Sequence, residues 1–208
     1  MADELVFYTN PQSRGAVTHW MLEEIGCPYR AEVLGFGPPM KSPEYLAINP
    51  MGKVPAIKHG NRVVTENGAI LCYLADAFPQ AKLAPPIGDR GAYYRWLFFT
   101  AGCGEPAMGN KAAGWDPSTP ELQGRFGFGS YKLTMDTLEK AITGRRHIAA
   151  DYFTAADLYV ASFLNFGMMF GVIEKRPAFE AYVKSHIERP ASQRAQEKAQ
   201  KLMAKAGA

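Results

Sequence analysis

The residues whose types and order carry chemistry lie between positions 49 and 70. Val54-Pro55 opens an apolar run, and a proline there keeps the preceding residue extended and brings no amide hydrogen of its own. With this bond cis, Val54 would turn its N–H and C=O outward, a donor and acceptor against which an extended peptide lies like an added strand. His59-Gly60-Asn61 predicts a turn, with Val54–Lys58 and Arg62–Thr65 as the strands of a hairpin. Thr65 is the expected cap of the next helix, with Glu66, Asn67 and Gly68 in its first turn. Free N–H groups and the helix dipole there suit a carboxylate, while the Glu66 side chain suits an ammonium. A carboxylate beside an ammonium is the main-chain end of an amino acid. The stretch therefore describes a site for a small peptide with an α-amino-acid head.

The elements that must position this site come before and after it. Leu5–Tyr8 suits a buried strand, broken at Thr9-Asn10-Pro11-Gln12. A helix is predicted from about Ser13 to Ile25, with Val17, Trp20, Met21 and Ile25 at helical spacing and Gly26 and Pro28 as its stop. Tyr29–Leu34 alternates like a second strand, a Gly/Pro loop covers 35–39, and a short helical piece is expected at Pro43–Ala47. With the hairpin and a helix ending near Ala77, this makes a compact α/β unit with a mixed sheet that closes near Gln80. Leu83–Gly88 reads as a linker, and beyond it strand-like alternation stops. Helices are predicted over Arg90–Lys111, kinked at 100–106, and over Pro120–Ile142, Ala155–Phe170, Pro177–His186 and Pro190–Lys205. Thr154 and Asp157 have capping-box spacing, and Phe153 is placed to staple against Leu158. Their hydrogen bonds are expected to serve the helix's own backbone, which makes them folding determinants.

Composition excludes several classes. The 208 residues are 47% hydrophobic, enough for a proper core, and Lys plus Arg exceed Asp plus Glu by only 23 − 20 = 3. That excess argues for neither nucleic acid nor an anionic membrane surface. Cys27, Cys72 and Cys103 are odd in number and far apart, so they offer no disulfide framework, redox pair or zinc site and fit a cytoplasmic setting. The N-terminus is acidic and unlike a signal peptide. The most apolar helix contains Asn165 and reads as core rather than a membrane span. His19, His59, His147 and His186 show no metal-ligand spacing, and no metal is expected.

Gly52-Lys53-Val54-Pro55, the Thr65-Glu66 helix start and the length of the chain together resemble a cytosolic glutathione S-transferase. Asn67 stands where many members carry Ser, and an amide can donate and accept as a hydroxyl does. The resemblance implies an α/β plus all-α fold. A thioredoxin-like N-terminal domain with a mixed sheet would span 1–80, a linker 81–89, and a helical-bundle domain 90–208. It further implies a cis Val54-Pro55 bond, glutathione as co-substrate held by Val54, Pro55, Glu66 and Asn67, and a homodimer. Lys53 and Lys41 are candidates for the glycyl carboxylate. The reaction implied is conjugation of the glutathione thiolate to a small apolar electrophile. Isomerisation, dehalogenation, peroxide reduction and a non-catalytic binding role remain open alternatives, whereas a dithiol oxidoreductase is disfavoured by the missing cysteine pair.

A thiol with a pKa of ~8.5 is only roughly 3% ionised near pH 7, and lowering it by about two units takes ~2.7 kcal/mol. One hydrogen bond to a charged group contributes about 1.5–3 kcal/mol and a helix N-terminus roughly 0.3–1 kcal/mol, so one hydroxyl at a helix start nearly suffices. Ser13 sits where the resembling family places its thiol-activating residue. Helix capping and thiolate donation are both open to it and do not exclude each other. Asn10 is a candidate second donor, Arg14 a source of positive potential, and Tyr8 a core or wall residue. Candidates for the apolar co-substrate pocket are Phe99, Cys103, Met108, Trp115, Phe166 and Met169, each of which also suits ordinary core packing.

Overall fold

A computed structural model of the chain describes residues 3–206. In the first part of the chain, β1 (Leu5–Thr9), α1 (Gly15–Ile25) and β2 (Arg30–Val33) form a strand–helix–strand unit, followed by α2 (Pro43–Leu46). The hairpin β3 (Ala56–His59) and β4 (Arg62–Thr65) leads directly into α3 (Asn67–Ala77). The sheet order is β2-β1-β3-β4, with β2 parallel to β1 and β3 antiparallel to both β1 and β4. This is the thioredoxin-like mixed sheet that the motifs imply. Leu5, Val6 and Phe7 of the interior strand β1 are all buried, as expected of a strand covered on both faces. Val17, Met21 and Leu22 of α1 and Ile70, Leu71 and Leu74 of α3 have no exposed surface, each contributing about 1.5–3 kcal/mol by burial.

The register fixes which loops share one end of the sheet. Thr9 pairs with Val33, Tyr8 with Ala56, and Ala56 in turn with Thr65. The loop after β1, the approach to β3 and the start of α3 therefore emerge together.

Two boundaries differ from the sequence reading. Thr65 is the last residue of β4 rather than a helix cap; Glu66 takes the cap position with φ 68° and ψ 123° and makes no side-chain capping bond. α1 begins at Gly15 rather than Ser13.

Leu83–Glu188 forms a second compact unit, all-helical among the described residues. α4 (Gly91–Phe99), a π-helical turn (Thr100–Gly104) and α5 (Glu105–Ala112) run on with helical dihedrals, so the expected kink is a π-bulge within a continuous helix. The single helix expected over 120–142 is two, α6 (Pro120–Arg125) and α7 (Tyr131–Ile142). The glycine-bearing stretch Phe126–Gly129 leaves the helical conformation, and Ser130 restarts it by accepting a hydrogen bond from the Leu133 N–H. α8 (Ala155–Met169) and α9 (Pro177–Ile187) complete the unit.

Thr154 and Asp157 form the capping box at the start of α8. Asp157 does more than the sequence suggested. It is fully buried, with Oδ2 accepting from the Thr154 N–H and hydroxyl and Oδ1 accepting from the Ile148 N–H and the Tyr182 hydroxyl.

The last helix, α10 (Pro190–Ala206), was expected to belong with residues 90–208, yet it packs on α1, and the segment from Arg189 groups with the first unit. Charge explains the docking. Arg189 makes a two-pronged pair with Glu24 at 2.6 and 2.9 Å, while Lys198 and Arg194 meet Glu23 at 2.6 and 3.4 Å.

Candidate functional site

At the end of β1 the loop is held by its own side chains. Asn10 Nδ2 donates to the Leu34 carbonyl (2.8 Å) and its Oδ1 accepts from the Gln12 N–H (2.9 Å). Asn10 is buried and spent on the loop, a different position from the second donor considered above. Ser13 Oγ donates to the Asn10 carbonyl at 2.6 Å and accepts from the Gly15 N–H at 3.0 Å, so it performs the capping role at the start of α1. A hydroxyl has one proton, and donating it to a ligand requires rotation away from the Asn10 carbonyl. A Cβ at position 15 would lie 2.3 Å from Thr9 Oγ1, so any side chain there requires the buried Thr9 to move.

The start of β3 carries the cis Val54-Pro55 bond. The Lys53 carbonyl just before it is held twice, by the Tyr45 hydroxyl (2.6 Å) and by Asn49 Nδ2 (2.8 Å). Burial, above all, pushes the Tyr45 phenol up to about 12, so it stays a donor at neutral pH. Gly52 precedes this anchor at φ 57°, and a side chain there would strike the Met40 carbonyl and Lys41. Lys41 Nζ donates to the Met51 carbonyl (2.8 Å), whereas the Lys53 side chain is exposed.

At the start of α3, the exposed Glu66 holds its left-handed conformation beside the first-turn N–H groups of Asn67, Gly68 and Ala69, which have no acceptor within the helix. A non-glycine residue at such dihedrals costs about 1–3 kcal/mol. Asn67 faces α1: its Nδ2 donates to the Arg14 carbonyl (3.1 Å) and its Oδ1 accepts from Thr18 Oγ1 (3.0 Å). Both functions of the amide bind the two helix starts together, which leaves its backbone N–H for a ligand. Tyr8, half-buried in β1, packs its ring 5.7 Å from that of Tyr45.

The candidates within this unit thus converge. Ser13 and Arg14, Lys53 to Pro55, and Glu66 to Asn67 occupy one end of the sheet, and Lys41 is tied to residue 51. Tyr45, Asn49 and Thr18 hold this arrangement and were not singled out from sequence. The spacing of Tyr45 and Asn49 ahead of Gly52 was their only available signal.

In the second unit the pocket candidates differ widely in exposure. Met108 is buried in the helical core. Phe99 and Phe166 are half-buried, the latter 4.7 Å from the Phe170 ring, and Trp115 and Met169 are 74% and 67% exposed. Cys103 is half-buried in the π-turn, and burial pushes its thiol pKa up. His147, Asp157 and His186 come together with ligand-type atoms within 4.8 Å of one another, a juxtaposition that their wide spacing hid. Asp157 Oδ1 in this cluster already accepts two hydrogen bonds. Among the described residues no helix is long and apolar enough to cross a membrane.

A four-stranded thioredoxin-like sheet with a cis-proline strand entry, joined in one chain to an all-helical unit, defines a two-unit fold class. Comparison with known proteins narrows it. Residues 16–77 match the glutathione S-transferase N-terminal domain. Glutathione S-transferase 1 of Schizosaccharomyces pombe is 33% identical over 156 residues, covering 70% of this chain and 67% of that protein. The disulfide-bond oxidoreductase YghU of Escherichia coli is 25% identical over 199 residues, 89% of this chain and 68% of its own. A sphingomonad glutathione S-transferase solved in complex with glutathione is 28% identical, with a TM-score of 0.75 over 93% of this chain and 98% of that one. The chain belongs to the glutathione S-transferase family.

Proposed function

We propose that the chain binds glutathione at the end of its sheet and transfers the glutathione thiolate to a small apolar electrophile. The observation that carries this reading is Glu66. Its strained backbone sets a free carboxylate beside unfilled N–H groups, while Asn67 locks that helix start to the residues around Ser13. This is the complement of an α-amino-acid head, and the outward face of Val54 beside the cis bond suits the extended remainder of a peptide. Lys53 and Lys41 supply cations for its distal carboxylate. Ser13 turns its hydroxyl from the Asn10 carbonyl to the sulfur, and a bond of about 1.5–3 kcal/mol to the charged form keeps the thiolate ionised near pH 7. The thiolate then bonds to an electrophilic carbon and the leaving group departs with its electron pair. The helical unit supplies the apolar co-substrate pocket, with Phe99, Cys103, Trp115, Phe166 and Met169 as its candidates. The same reading carries a homodimer and a cytoplasmic setting.

The test is an ultraviolet titration of bound glutathione against pH in the wild type and in Ser13→Ala. A thiolate signal well below pH 8 that moves up by a pH unit or more in the variant is the expected result. An unchanged signal assigns activation elsewhere in the loop, and absence of binding removes the reading. A second reading, attack of the same thiolate on a disulfide sulfur, is favoured by the likeness to the Escherichia coli oxidoreductase. Turnover of an aryl halide against that of a small symmetric disulfide separates the two.

A further inference from the structure

Two histidines and an aspartate that are far apart in the chain meet at the start of α8. Asp157 Oδ1 lies 3.8 Å from His147 Nδ1 and 3.9 Å from His186 Nε2, and the three ligand-type atoms all fall within 4.8 Å of one another. Each residue comes from a different segment: the loop after α7, the first turn of α8 and the last turn of α9. The Asp157 side chain is fully buried and that of His186 is 2% exposed, while that of His147 reaches the surface at 15%.

The surrounding hydrogen bonds orient this cluster for a cation. His186 Nδ1 lies 2.7 Å from the Tyr182 carbonyl, which can only accept, so in the neutral ring Nδ1 carries the proton and Nε2 carries the lone pair. An imidazole whose other nitrogen donates to a backbone carbonyl is the form in which histidine binds metals. Asp157 Oδ1 is held by the Ile148 N–H and the Tyr182 hydroxyl. The amide is fixed, but the phenolic hydrogen can rotate away and leave a lone pair to a metal. The buried Phe153 ring lies 6.5 Å from the His147 ring and 5.5 Å from that of His186, an apolar cover for the site. On the His147 side a cavity of about 490 Å³, bordered also by Arg145, Arg146 and Asp151, gives an entry path and room for one further ligand.

We propose that His147, Asp157 and His186 bind a divalent transition-metal ion, Zn²⁺ by preference, which clips the loop before α8 to the end of α9. Two imidazole nitrogens with one carboxylate oxygen select zinc and its neighbours over magnesium and calcium, which take oxygen ligands. Bonds of about 2.0–2.2 Å hold tetrahedral ligands about 3.3–3.5 Å apart, so the two separations to Asp157 have to close by roughly half an ångström, a matter of small side-chain rotations. The fourth position falls to water or to Asp151 from the cavity. All three ligands belong to the second unit, and the site is independent of the glutathione reading.

The test titrates Co²⁺ into the untagged, metal-free full chain near pH 7, without glutathione, and reads the visible absorption before Zn²⁺ is added in competition. The variants are His147→Gln, at the rim of the cavity, and His186→Gln, with circular dichroism to confirm that each is folded. Asp157 is left in place because it holds the fold. The expected result is one Co²⁺ per chain with the intense visible bands of a tetrahedral ion, displacement by Zn²⁺, and affinity at least about a hundredfold weaker in His147→Gln. Zn²⁺ at about a hundredfold above its Kd should raise the melting temperature of the wild type by about 5–10 °C and leave that of His147→Gln unmoved. Absence of a tetrahedral spectrum, a thiolate-to-cobalt band in the near ultraviolet, which places the ion on a cysteine, or equal affinity in His147→Gln each overturns the proposal. If His186→Gln fails to fold, His147→Gln decides alone.

Discussion

Glu66 is one of two non-glycine residues with positive φ among the described residues, at 68° in an exposed position where glycine would be at ease. Nothing in the described hydrogen bonding of its carboxylate offsets the strain, which is the pattern expected where a conformation is kept for a ligand. Two substitutions separate strain from chemistry. Glycine normally costs roughly 0.5–1 kcal/mol against alanine, but here Glu66→Gly releases the strain that Glu66→Ala retains. Glu66→Gly is expected to be the more stable variant by about 1 kcal/mol in urea denaturation, while both lose glutathione affinity. An alanine variant as stable as the glycine variant would count against strain at this position. Ser13 illustrates the same scale differently, because one hydroxyl both caps α1 and stands where thiolate donation is needed.

At the scale of elements, two buried polar clusters set how helices dock. In the first, His19 on α1 contacts the Tyr29 hydroxyl at 2.9 Å, and Tyr29 donates to Glu23 at 2.6 Å, which is paired to Lys198 on α10. Burial outweighs the attraction of Glu23 and holds the His19 pKa at about 4, against 6.5 when unfolded. Between these values the unfolded chain binds the proton and the folded chain does not, so stability falls as the pH drops from about 6.5 toward 4. The loss is about 3 kcal/mol at ~1.36 kcal/mol per pH unit. Burial pushes the Glu23 carboxyl up, but hydrogen bonds from Lys198 and Tyr29 more than offset this and leave it below its ordinary value, which extends the acid loss further down. Urea midpoints measured from pH 7 to pH 4 should decline steeply in the wild type and less in His19→Gln. In the second cluster Asp157 joins α8 to α9 and to the loop before Thr154. Asp157→Ala leaves the Ile148 and Thr154 N–H groups and the Tyr182 hydroxyl without this acceptor. It should cost at least about 3 kcal/mol, against about 1 kcal/mol for Thr154→Ala. Glutathione affinity of the surviving folded protein should stay near wild type.

For the whole molecule, the consequential feature is that the last segment returns to the first unit. A chain ending at Glu188 would lose the partners of Glu23 and Glu24 and uncover the α1 surface on which Ala191 and Ala195 are buried. Two buried-side carboxylates would then lack their cations, a loss of several kcal/mol. The truncated chain is therefore expected to melt well below the full chain by circular dichroism and to lose glutathione binding, although every candidate binding residue lies before residue 68. A truncated chain with unchanged melting would show that α10 is dispensable to the first unit.

Much of this was legible in the sequence, because local chemistry decided it. Pro55 after an extended residue, the Gly60 turn, the Thr154-to-Asp157 spacing and helical periodicity each act within a few residues, and the order of strands and helices along the first eighty residues followed closely from them. The Gly52-to-Pro55 and Thr65-to-Glu66 motifs were enough to bring the family into view. Tertiary structure decided what depends on partners far along the chain. It turned Asn67 toward Arg14 and Thr18, used Tyr45 and Asn49 to clamp the Lys53 carbonyl, and gathered His147 and His186 about Asp157. It also carried α10 back across more than a hundred residues to α1. An amphipathic helix records that it has an apolar face; which surface covers that face depends on charge and shape that meet only when the chain has folded.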